Sequence, residues 1–133
     1  MTYKCKTFPY PIGSKRPDKV LPAADKFIVD WSSESPPEQR PYVVVRCFGK
    51  TDLVFIEPAF RHVREKRDLL DVARRLRFLP CVRELLEQTA EIPVATRDGN
   101  FMLEGKAGTG ERFRVILGLD KEGYSLISFY PID

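Results

Sequence analysis

The chain has 133 residues, of which 43% are hydrophobic, 31% charged and 11% aromatic. That size and composition suit one domain with its own apolar core and exclude wholesale disorder. No apolar run approaches the roughly 18 residues a membrane helix needs, and the net charge of +3 is too small by itself to announce nucleic acid.

Prolines at 9, 11, 17, 22, 36, 37 and 41 dominate the first 41 residues. They predict a proline-rich N-terminal arm over 1–41, wrapped on the domain or partly disordered, ahead of a single α+β domain at 42–133. The same prolines argue against a signal peptide and for a cytoplasmic protein. Within the arm, the apolar patch from Phe27 to Trp31 is expected to dock on the core. From Tyr42 the pattern becomes regular. Tyr42 to Phe48 is a β-branched and aromatic run, Gly49 to Asp52 carries turn chemistry, and Leu53 to Ile56 is a second run, which together read as a hairpin.

Pro58 suits the first turn of a helix. Phe60, Val63, Leu70, Ala73 and Leu76 then recur near helical spacing, with a break around Asp68–Leu70. Pro80 opens another short helix through Gln88, buried through Val82, Leu85 and Leu86. The region 58–88 thus predicts two or three helices. The last third reads as a meander of about four strands: Ile92–Thr96, Phe101–Lys106, Arg112–Leu119 and Tyr124–Tyr130, with Gly99 and Gly123 in the turns. Pro93 places the first of them at an edge. The expected fold is an antiparallel sheet with the central helices packed on one face.

Residue counts prune the chemistry. Cys5, Cys47 and Cys81 are scattered and read as small buried hydrophobes, and with His62 as the one histidine no usual zinc set can be assembled. Neither a metal nor an organic cofactor is expected. The run Gly105–Gly110 could cradle an anion, but it lacks the Lys-Ser/Thr and following helix of a phosphate loop and reads better as a flexible hairpin connection. Charge, however, is unevenly placed. From Arg61 to Arg77 seven basic residues face three acids, a surplus larger than that of the whole chain. His62 and Lys66, at i and i+4, would share one helix face, where the lysine favours a neutral imidazole able to accept a proton. A solvated histidine on a charged helix is the plainer reading.

Arg112 and Arg114 alternate with Phe113 and Val115, so they project to one face of their strand, and Ser128 and Tyr130 do the same on the last strand. If those strands pair, an arginine lies across from a hydroxyl, a cluster able to bind and polarise phosphate. A hydrophilic, solvent-facing sheet surface would show the same alternation.

Several stretches taken in order carry a resemblance: Leu53-Val54-Phe55-Ile56, Arg61-His62-Val63-Arg64-Glu65-Lys66, Leu79-Pro80, Arg112 to Leu117, and Ser125 to Ile132. Over about residues 50–133 the chain resembles the phage-associated nuclease domains of the barnase–EndoU–colicin–RelE superfamily. The resemblance implies a metal-independent, toxin-like ribonuclease, with RNA as substrate and an immunity or antitoxin protein as partner. It acts in the cytoplasm or is delivered to a target cell's cytoplasm. Matched by position, His62, Arg114, Ser128 and Tyr130 would be the catalytic residues. Arg61, Lys66, Arg67 and Arg112 would hold the nucleic acid. Lys66 and Arg67 stand where a second histidine or an acid is common. The competing class is a non-catalytic, phage-derived module that binds nucleic acid or a partner protein. An antitoxin would more commonly present an acidic face than the basic one seen here.

Overall fold

A computed structural model describes residues 2–132. Its elements are β1 (Thr2–Lys4), α1 (Pro17–Ser32), β2 (Tyr42–Val45), β3 (Asp52–Phe55), α2 (Glu57–Arg64), α3 (Leu69–Leu76), α4 (Leu79–Gln88), β4 (Val94–Ala95), β5 (Phe101–Lys106), β6 (Arg112–Asp120) and β7 (Gly123–Ile132). The architecture is α+β, with helices packed on a seven-stranded sheet. Strand order is β1-β5-β6-β7-β3-β2, and β4 shares with β1 the outer edge of β5. No described helix is long and apolar enough to cross a membrane.

The expected hairpin is β2–β3, closed near Gly49 at φ 85°. The expected meander is β4 to β7, with β4 cut to two residues at the edge by Pro93 just before it. The sheet is mixed rather than purely antiparallel, because β1 runs parallel to β5 and β3 parallel to β7. Region 57–88 holds three helices. Asp68 caps α3 by accepting from the Leu70 amide at 3.0 Å, which fixes the break left open by the sequence.

The proline-rich front is built into the domain instead of lying over it. Its first residues form the edge strand β1, and α1, with sixteen residues, is the longest helix among those described. Pro17 sits in the first turn, where a missing N–H costs nothing. Pro22 removes one interior bond, a penalty of about 3 kcal/mol, but Val20, Ala24 and Trp31 are buried on the same helix and outweigh it. The Phe27–Trp31 patch docks as expected: the Trp31 ring lies 6.0 Å from Phe60 of α2 and 5.9 Å from Phe27.

The apolar face of the sheet carries Val43, Val45, Val54, Leu103, Phe113, Val115, Leu117, Leu126 and Phe129, all buried. Helix α4 covers it through Leu85, while Phe78, just before α4, sets its ring 5.4 Å from Phe113. All three cysteines are buried and free.

The Gly105–Gly110 run leads into the hairpin connection between β5 and β6, as expected, and is not an anion cradle. Gly105 lies inside β5, and a Cβ there would come within 2.4 Å of the Phe113 ring and 2.8 Å of Leu85. The amides of Ala107, Gly108 and Gly110 are spent on the carbonyls of Glu111, Thr7 and Ala107. Close packing calls for glycine at 105 and 108, and a φ of 93° calls for it at 110.

The segment after β1 is tied down by one carboxylate. Glu84 of α4 accepts hydrogen bonds from the Lys6 and Thr7 amides and from the Thr7 hydroxyl. Burial opposes its charge, but these bonds and one from Tyr3 outweigh burial and hold the carboxyl below its ordinary 4.5. Burial and Glu84 together push the Tyr3 hydroxyl up to about 12.

Two outcomes follow. Gly105→Ala should destabilise the fold by about 1–3 kcal/mol, because the ring and Leu85 must shift; urea unfolding measures it. The stability from Glu84 is present above its unfolded pKa and lost as pH falls through the lower folded value. The gap in Tm between the native chain and Glu84→Gln should therefore be open at pH 7 and narrow as pH drops below 4.5.

Candidate phosphate-binding site

The central constraint on the site is the way β7 is flanked. β6 pairs with it throughout, from Arg112↔Ile132 to Asp120↔Gly123. On the other side β3 pairs with Tyr124 and Ser125 alone, so from Leu126 onward that edge carries no strand. Helices α2 and α3 pack against β7 instead. A register shift between Ile116 and Leu117 leaves Ile127 as an extra, unpaired residue, a bulge of the kind that re-aims side chains.

Past this bulge, Ser128 is buried and Tyr130 half-buried. Arg75 of α3 reaches them along the open edge. Its Nη1 donates to Ser128 Oγ at 3.3 Å, its guanidinium carbon lies 5.6 Å from the Tyr130 ring centroid, and its Nε donates to Asp71 at 3.1 Å. The Arg74 guanidinium, and Arg75 after it, overcome burial and hold the Asp71 carboxyl below its ordinary range. Asp71 thus keeps Arg75 aimed at β7.

Across the sheet, Glu104, Arg114 and Tyr130 occupy one row of three strands, since Arg114 pairs with both of the others. The expected strand pairing of an arginine with a hydroxyl residue is therefore present as Arg114 opposite Tyr130. Ser128 pairs with Ile116, and Arg112 with Ile132. Glu104 lies 3.7 Å from Arg114 Nε and 3.6 Å from Arg112 Nη1, and accepts from Thr2 Oγ1 at 2.8 Å. Arg114 Nε is buried and lacks a hydrogen bond at these distances.

Two hydroxyls thus lie along β7 with an arginine on each side, Arg75 held by Asp71 and Arg114 beside Glu104. Convergent arginine forks are the side chains suited to the oxygens of a phosphate. No protein-family model, curated protein or solved structure matches the chain. The site must be interpreted from its own chemistry.

The other expected residues are placed differently. His62 is exposed on α2, and its side chain makes no hydrogen bond or ion pair with described residues. It does not share a helix face with Lys66. Helix α2 ends at Arg64, and the Lys66 amide bonds the Val63 carbonyl in a tight turn beyond it. The lysine that was expected to favour neutral imidazole therefore lies past the helix end. Arg61 and Arg67 are exposed and Lys66 half-buried, and none forms an ion pair with described residues. Other cations of the basic stretch are engaged, Arg64 with Asp25, Arg74 with Asp71 and Arg77 with Glu111.

Sequence reasoning missed Arg75 and Glu104. Arg75 looked like one more charge on a wet helix. Glu104 could have been found, because it sits in a strand at the parity that faces Arg114.

The aim of Arg75 has a measurable signature. A double-mutant cycle with Arg75→Met and Tyr130→Leu should return a coupling of about 0.5–1 kcal/mol in unfolding free energy. A coupling indistinguishable from zero would show that the guanidinium does not rest on the ring.

Proposed function

We propose that the chain is a metal-independent, toxin-like endoribonuclease whose substrate phosphate is held between Arg75 and Arg114 beside Ser128 and Tyr130. The observation that carries this reading is the placement of two arginines beside the hydroxyl-bearing end of β7. One comes across the β-ladder and the other from α3 through Ser128.

RNA supplies its own nucleophile, so the protein need only bind, polarise and move protons. A 2′-hydroxyl loses its proton to His62, and the new 2′-oxygen–phosphorus bond forms as the 5′-oxygen leaves. Arg75 and Arg114 stabilise the charge that grows on the non-bridging oxygens. The Tyr130 or Ser128 hydroxyl orients the phosphate and donates toward the departing 5′-oxygen. The products are a 2′,3′-cyclic phosphate and a 5′-hydroxyl. The exposed Arg61 and Arg67 and the half-buried Lys66 at and beyond the end of α2, with Arg112 on the sheet, draw in the RNA backbone.

A second reading draws on those same cations. Arg61, Lys66 and Arg67 without ion-pair partners also suit a non-catalytic module that holds nucleic acid by charge alone. The two readings separate on cleavage. The nuclease should cut RNA in excess EDTA and leave 2′,3′-cyclic phosphate ends visible by mass spectrometry. His62→Ala, Arg114→Ala or Arg75→Ala should each lower the rate by about 10²–10⁴-fold. Salt-sensitive RNA binding by the purified chain, with no cleavage and no response to His62→Ala, would select the binding module instead.

A further inference from the structure

A cavity of about 500 Å³ opens beside this cluster, between the end of α3 and the ends of β6 and β7. Its walls include Lys15, Arg74, Arg77, Phe78, Glu111 and Ile132. Arg77 stands out among them. It is 6% exposed, Nη1 is 3.3 Å from Glu111, and the buried Nε has no hydrogen-bond partner.

A guanidinium offers five N–H donors, and removing one from water without full pairing is costly. A buried arginine with an unspent donor on a cavity wall is therefore poised for an acceptor that the protein itself does not provide. At the mouth, Lys15 is exposed and Arg74 is half open, sharing one contact with Asp71. The lining thus carries three cations and one carboxylate, while Asp71, outside the lining, is divided between Arg74 and Arg75. Leu70, which is exposed, and Ile132, which is half-buried, supply aliphatic surface beside them. A doubly charged phosphate monoester on a partly apolar body suits both walls, because its three terminal oxygens can bridge Arg77 and the cations at the mouth.

We infer that this cavity binds a phosphomonoester, with the phosphate on Arg77, Arg74 and Lys15 and its organic body against Leu70 and Ile132. The ligand is distinct from the phosphodiester of the proposed cleavage site, and its binding does not depend on RNA being cut. Two sources share this chemistry, a free mononucleotide and the phosphorylated end of an RNA chain.

The test titrates uridine 5′-monophosphate, uridine 3′-monophosphate, uridine and inorganic phosphate into the full chain, followed by thermal shift and by the Arg77 Nε–H resonance. Both monophosphates should raise Tm and move that resonance, and should bind at least tenfold tighter than uridine. The double variant Lys15→Gln with Arg74→Gln alters two solvent-accessible side chains and should weaken them at least tenfold. Lys50→Gln with Lys121→Gln removes the same charge from two turns and should leave affinity unchanged. A short RNA ending in a 3′-phosphate that outbinds its 3′-hydroxyl twin and the mononucleotides assigns the chain end, and the reverse order assigns the free nucleotide. Monophosphates that bind no tighter than uridine would overturn the inference. So would an equal loss of affinity in the turn variant, which would reveal only diffuse attraction. Neither result reads cleavage, so the site can fail while the nuclease reading stands.

Discussion

Strand β7 is paired along its whole length by β6 and for only two residues by β3, and the organisation of the molecule turns on that asymmetry. A parallel pair needs a long connection. Between β3 and β7 the chain must fit α2, α3, α4 and three strands. Because β3 stops at Phe55, the far half of β7 is left to helices. A strand neighbour would have offered Ser128 and Tyr130 only a ladder. A helix neighbour brings in Arg75 from a residue 53 positions away.

The charges around this edge are arranged by pairing rather than by number. Asp71 serves both Arg74 and Arg75, Glu104 serves both Arg112 and Arg114, and Glu111 meets Arg77. Each carboxylate aims guanidiniums without using all their donors, and Arg77 Nε and Arg114 Nε remain unsatisfied. Incompletely satisfied buried donors cost stability, and they are also what an anionic ligand needs. The proposed cleavage site and the inferred phosphate cavity draw on neighbouring stripes of α3, Asp71 with Arg75 and Leu70 with Arg74, since successive residues on one helix point in different directions.

Much of the fold was legible because local patterns agreed with tertiary burial. The alternation of Arg112, Phe113, Arg114 and Val115 predicted which side chains face the helices, and the ladder places Arg114 opposite Tyr130. The proline-rich front was misleading, since backbone penalties at Pro17 and Pro22 are visible in a sequence whereas the burial of Val20, Ala24 and Trp31 against distant partners is not. The His62–Lys66 pairing failed on a boundary. Helical spacing says nothing about where the helix stops, and α2 stops at Arg64.

By itself the sequence determined the element types from Tyr42 onward, the inward and outward faces of the C-terminal strands, and the concentration of positive charge between Arg61 and Arg77. These are properties of short range, set by periodicities of 2.0 and 3.6 residues and by turn chemistry. Only the tertiary structure decided which of those charges are free and which are engaged. Arg64 is spent on α1, Arg77 is buried against Glu111, and Arg75 is turned onto β7, while Arg61 and Arg67 stay in solvent. Charge is a property of a residue, but its availability depends on partners that the chain brings together from far apart.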